Sequence, residues 1–161
     1  LLMCIIDSGC TRQFRYSTAN TNTIDMALSV NGIPVVALEL KNQFAGQDYI
    51  CAINQYKNDR SSKEFAFRLN HRFLVYFAVD LYEVWMTTQL ADSNTRFLPF
   101  NQGSNGAGVT GGAGNPQNPN GYATSYLWEE VLQRDSLLDL IHRFISWVKE
   151  KSEMVKHGVL R

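Results

Sequence analysis

Within TIDMALSVNGIPVVALELKN, Thr23 to Asn42, three residues have the type and spacing to do chemistry: Asp25, Glu39 and Lys41. Each lies in an apolar run, where a charge costs free energy unless something compensates it. The runs flank Asn31-Gly32, the strongest short-range hairpin signal, and read as strands over 24–30 and 35–41. Pro34 opens the second strand, where its missing N–H is tolerated.

Alternation assigns the faces. Ile24, Met26, Leu28 and Val30 share one side with Val36, Leu38 and Leu40. The other side carries Asp25, Ala27 and Ser29 with Val35, Ala37, Glu39 and Lys41. A plain two-residue loop pairs Val30 with Ile33, sets Asp25 opposite Leu38 and scrambles both faces. A one-residue offset, from a three-residue loop or a bulge, makes Asp25 and Glu39 same-face neighbours. Gly32 can supply the left-handed residue that such a loop needs.

Opposite residues on paired strands have Cβ atoms about 4.5–5.5 Å apart, and diagonal ones about 7–8 Å. Two carboxylates that close repel each other unless a cation sits between them. A hard divalent ion with oxygen ligands suits Asp25 and Glu39, with the Leu40 carbonyl as a further donor. Lys41, two residues after Glu39, shares its face and can stabilise charge that develops in phosphodiester attack. The bland reading of Glu-x-Lys is a solvated strand face with a weak ion pair. Asp25 on the matching face and strongly apolar partner strands favour catalysis over it.

The elements that must position these residues follow from pattern. Residues 13–17 alternate as a short strand, and 48–60 read as a helix with Tyr49, Ala52, Ile53 and Tyr56 at helical spacing. Strands are expected at 73–79 and 82–87. Residues 102–121 hold seven of the eleven glycines and two of the four prolines, which predicts a flexible loop. Helices are expected over about 126–155, the second capped by Asp135 or Ser136 and striped by Leu137, Leu138, Ile141, Phe144, Ile145 and Val148. The fold class is mixed α/β, a central sheet with helices packed on it, in one domain spanning 1–161.

Composition bounds the rest. The formal net charge is zero, so no global basic field announces nucleic acid. Cys4, Cys10 and Cys51 have neither metal-ligand nor disulfide-framework spacing and read as free thiols of a reducing cytoplasm. No apolar run approaches the roughly 20 residues of a membrane span. The opening LLMCII lacks a basic n-region, and the chain reads as an excerpt of a longer protein.

With these blocks in place, IDMALSVNGIPVVALELKN resembles the nuclease core of the PD-(D/E)xK superfamily, in the version found at the N-terminal end of the type I restriction enzyme R (motor) subunit. The resemblance continues through AINQYKNDR, LVYFAVDLYEVWMTT, TRFLPFNQG, GNPQNPNG and SYLWEEVLQRDSLLDLIHRFI, from about Thr11 to about Trp147. It implies a restriction-endonuclease-like core, a mixed sheet flanked by helices. It also implies Mg²⁺ as the ion, Asp25 and Glu39 as metal ligands and Lys41 as the catalytic lysine. The substrate it implies is double-stranded DNA, cut in complex with methylation and specificity subunits after ATP-driven translocation.

The chain departs from that pattern. It has no G-x-x-x-x-G-K-[ST] loop, so ATP belongs to the full-length subunit alone. In the Gln-x-x-x-Tyr motif such nucleases often carry, Tyr56 fits the Tyr, but the Gln position holds Ala52 and Gln55 is displaced to point elsewhere on the helix. Asp7 is a weak candidate for an acid upstream of Asp25. Gln55, Tyr56, Lys57 and Arg60 are expected to contact DNA, whereas Arg12 and Arg15 read as ordinary surface charges. His71, His142 and His157 lack partners at ligand spacing, and Trp85, Trp128 and Trp147 read as core anchors. Two other functions compete with the restriction nuclease. One is a non-catalytic nuclease-fold module that docks subunits or DNA, which has no need of Asp25, Glu39 and Lys41 together. The other is a stand-alone repair nuclease, which the downstream blocks disfavour.

Overall fold

A computed structural model describes residues 6–69, 71–150 and 153–158. The chain divides into two compact units, Leu1–Thr124 and Ser125–Arg161.

The first unit is a six-stranded mixed sheet in sequential order: β1 (Ser8–Arg15), β2 (Thr23–Val30), β3 (Ile33–Leu40), β4 (Val75–Val79), β5 (Val84–Thr87) and β6 (Leu98–Pro99). All neighbours are antiparallel except β3 and β4, which are parallel. A parallel pair needs a long crossover, usually helical. Here α1 (Tyr49–Asn58) lies within it, capped by the Asp48 carboxylate accepting from Cys51 N–H at 3.1 Å.

The hairpin reconciles its turn with its pattern inside the strand. Val30 pairs directly with Ile33 across a two-residue turn in which Asn31 and Gly32 both have positive φ, 50° and 76°. The expected offset then enters as a bulge: Ser29 pairs with Pro34, but Leu28 pairs with Val36 and Met26 with Leu38. The irregularity falls beside the residue that cannot donate to a ladder. Without it Asp25 would face Leu38; with it the register runs toward Asp25 opposite Glu39.

The face carrying the small residues and the acids is not solvated. Ala27, Ala37 and Ala78 leave room for α1, which lays Ala52 and Tyr56 against the sheet. Tyr56, Phe67, Phe73 and Tyr76 complete an aromatic core there. β3 is also buried on its other face, through Val36 and Leu38. Trp85 joins the core and stacks on Tyr49 at 5.2 Å.

Between β6 and Thr124 no regular element forms, as the glycine content predicts. The loop is closed at its neck by Gly103 N–H to Gly114 O at 2.8 Å and by Asn115, which donates to the Tyr82 carbonyl at 2.8 Å.

In the second unit, residues 127–131 form a π-helical turn, and α2 (Arg134–Phe144) follows. The expected helix does not continue: Ile145–Glu150 (β7) and Glu153–Gly158 (β8) pair as antiparallel strands, an ending the period-3.6 stripe concealed. Trp128 is exposed rather than a core anchor. Cys4 and the side chains of Phe144, Ile145, Trp147, Val148 and His157 lie outside the described residues.

Candidate metal and phosphodiester site

Glu39 is the centre of the site, and it is fully buried. Its Oε1 accepts two hydrogen bonds from Arg60, from Nη2 at 2.8 Å and Nε at 3.1 Å. Its Oε2 has no hydrogen-bond partner. An unpaired buried carboxylate oxygen is costly, and native structures keep such atoms where a ligand or ion completes them. Burial pushes the Glu39 carboxyl up to about 7, the charge of Arg60 opposing the rise and the Asp25 carboxylate adding to it.

Asp25 lies where the β2–β3 ladder stops. Its Oδ2 accepts the Leu40 N–H at 2.8 Å, so the side chain replaces a backbone partner at the end of the ladder. Its Oδ1 receives only a 3.5 Å contact from Gln13. Gln13 has a left-handed backbone, φ 50°, unusual for a side-chain-bearing residue, and its Oε1 accepts from Thr23 Oγ1 at 2.7 Å. Sequence pattern gave no reason to single out Gln13. Positive φ in a strand is legible only from coordinates.

Lys41 donates through Nζ to Gln55 Oε1 at 2.6 Å. Gln55, displaced by the sequence comparison, is therefore the α1 residue that reaches the lysine. It sits three residues after Ala52, which faces the core, and its side chain leaves the helix toward the end of β3. The bond makes Gln55, half-buried, a partner of Lys41, and it leaves the expected DNA contact of Gln55 untouched.

Two other DNA-contact expectations are overturned by burial. Tyr56 is fully enclosed and donates its hydroxyl to the Phe77 carbonyl at 3.3 Å. Arg60 is 4% exposed, bonded to Glu39 and to the Thr23 carbonyl at 2.8 Å, with its guanidinium 5.4 Å from the Tyr16 ring centre. A guanidinium so committed cannot also grip phosphate. Lys57, half-buried on α1, retains an exposed portion. Asp7 pairs with Asn31 through two backbone-anchored bonds, at the opposite end of β2 from Asp25, and is not an acid of this site.

The donors fit a hard divalent ion. Two carboxylates and backbone oxygen are its ligand chemistry, and Mg²⁺ commonly takes one or two carboxylates and completes its shell with water and substrate phosphate. Among the described residues no cluster of three or more His, Cys, Asp or Glu could hold a metal. Arg60 and Lys41 balance the two negative charges. Also among the described residues, no helix is long and apolar enough to cross a membrane.

No curated protein and no solved structure matches the chain. The sequence-to-family comparison does: residues 9–95, more than half of the chain, match the type I restriction enzyme R protein N terminus. That span contains Asp25, Glu39, Lys41, Gln55 and Arg60 and strands β2 to β5 entire, and stops short of the blocks from 96 onward that also resembled the family. The chain belongs to the family of the type I restriction enzyme R protein N terminus.

Proposed function

We propose that this domain hydrolyses DNA phosphodiester bonds as the nuclease part of a type I restriction R subunit. One observation carries the reading: a buried carboxylate oxygen of Glu39 without a partner, beside Asp25 and two residues from a lysine held in place.

Asp25, Glu39 Oε2 and the Leu40 carbonyl would hold Mg²⁺. Such an ion supplies Lewis-acid polarisation of a phosphoryl oxygen and a more acidic water. The chain's own residues do the positioning. Gln55 fixes the Lys41 ammonium, which stabilises negative charge developing on the phosphate in attack. Water oxygen bonds to phosphorus and gives up a proton to solvent, one P–O ester bond breaks, and the departing alkoxide takes up a proton from solvent.

Double-stranded DNA is the substrate, and the methylation and specificity subunits of a restriction–modification complex are the partners this reading entails. A groove of about 680 Å³ borders Tyr16, on whose ring Arg60 packs, and is lined by Arg15, Phe65 and Arg72 among others. Arg72 and the half-exposed Phe65 ring beneath it suit a phosphate backbone, while Glu64 also lines the groove and Arg15 Nε is held by the Ser17 and Asn20 carbonyls. ATP-driven translocation belongs to other parts of the subunit.

Titration calorimetry of the chain with Mn²⁺ tests the site. Binding that disappears in Asp25→Ala is expected. Absence of binding in the wild type, with DNA or subunit binding intact, would replace the nuclease by a docking module.

A further inference from the structure

We infer that Arg60 is a positioning residue that sets the metal preference of the site, by occupying Glu39 Oε1 and leaving Oε2 as the one oxygen Glu39 can offer. The inference rests on the metal reading above and goes beyond it, because it assigns selectivity to a residue that is not a ligand.

The geometry is a fork on a single atom. Nη2 and Nε both reach Oε1, at 2.8 and 3.1 Å, and neither reaches Oε2. The guanidinium is itself fixed from three sides: Nη2 to the Thr23 carbonyl at 2.8 Å, Nη1 to the Asp59 carbonyl at 3.5 Å, and the face of Tyr16. Arginine donors form a planar, rigid array, so this arrangement resists rotation of the carboxylate. A carboxylate with one oxygen locked in this way binds through the other alone. Ca²⁺ takes six to eight oxygens and readily accepts bidentate carboxylates, whereas Mg²⁺ and Mn²⁺ work with fewer, singly bound oxygens. Arg60 thus disfavours the larger ion without touching it. Its charge acts on all divalent ions alike, so the ratio of affinities isolates the geometric effect from the electrostatic one.

The test is calorimetric titration of the chain with MnCl₂ and with CaCl₂, for wild type, Arg60→Lys and Arg60→Met. Arg60→Lys keeps the charge and removes the fork. Arg60→Met frees Oε1 but leaves Glu39 buried beside no cation, a change that can prevent folding. Thermal melts decide whether it is scored, and Arg60→Lys carries the test alone if it unfolds. The expected result is that the wild type prefers Mn²⁺ and that the Ca²⁺/Mn²⁺ affinity ratio rises about tenfold in the folded variants. An unchanged ratio in folded variants, or loss of both ions from folded Arg60→Lys, overturns the inference and leaves the metal site standing. A wild type that binds neither ion overturns the metal site, and the inference with it.

Discussion

Asp80 and Glu39 are both acids, buried to 3% and 0% exposure, at the same end of the neighbouring parallel strands β4 and β3. Asp80 is saturated. Its Oδ1 accepts from the backbone of Tyr82 and Glu83, each at 2.8 Å, and its Oδ2 from Tyr49 N–H and Gln43 Nε2, each at 3.1 Å. These bonds close the β4–β5 turn and pin the start of α1, so the charge is spent on structure. Glu39 gives one oxygen to Arg60 and keeps the other open. Burial alone therefore does not mark a functional acid. What separates the two is whether every lone pair has found a donor within the fold.

The comparison can be broken or sharpened by mutation. The largest effect is expected at the open site. Lys41→Ala should lower DNA cleavage by the full R-subunit complex by roughly 10²–10³-fold, the loss seen when one electrostatic stabiliser is removed. ATP hydrolysis, translocation and the melting temperature should stay near wild type. A well-folded Lys41→Ala enzyme that cuts at the normal rate would reduce Glu-x-Lys to ordinary strand residues.

At the saturated site the loss should be of stability instead. Asp80→Ala leaves several donors without an acceptor and should cost about 3 kcal/mol in urea denaturation. Mn²⁺ binding by the variant, measured where it remains folded, should be unchanged. Loss of metal binding in folded Asp80→Ala would mean that the two acids are not separate in role.

Glu39 should also betray its open oxygen through pH. Its carboxyl lies near 7 in the folded chain against 4.5 when unfolded, chiefly because of burial. The native state then binds the proton more tightly, so this group favours folding below about pH 4.5 and loses that contribution as pH rises through 7. The slope should amount to up to about 3 kcal/mol across that window in metal-free buffer. Glu39→Gln should flatten it. A wild-type stability that rises from pH 5 to 8 by an amount Glu39→Gln does not change would contradict the assignment.

The smallest effect is expected at the groove. Arg72→Ala should weaken DNA binding by less than about tenfold and lower the salt-dependence slope by about one, as loss of a single phosphate contact does. Fluorescence anisotropy with a duplex at several salt concentrations measures both. An unaltered slope would remove Arg72 from the DNA path.

The sequence by itself determined the elements around the site and one relation between them. Asn31-Gly32 could only turn, the alternating runs around it could only be strands, and the demand that charges share a face required an odd residue somewhere in the hairpin. That residue turned up as a bulge beside Pro34, because a pattern constrains the sum of the register and not the position of the correction. The helix over α1 was legible from its spacing for the same reason, since periodicity is a property of neighbours along the chain.

What lay across the sheet was not legible. Ala27 and Ala37 read only as small residues on the charged face, yet with Ala78 they are what allows Ala52 and Tyr56 of α1 to approach and bury Glu39. Arg60, twenty-one residues from Glu39, reads from the sequence as a DNA contact at the end of a helix, whereas the crossover returns it to the start of β2 and to Glu39. Gln55 reads from the sequence as a DNA contact displaced from the motif position that Ala52 holds, and only direction from the helix decides that it meets Lys41. Desolvation, ion pairing and an unfilled lone pair all depend on which groups surround an atom in space. Only the tertiary structure sets those neighbours, because the chain that brings Arg60 to Glu39 is held by packing elsewhere in the core.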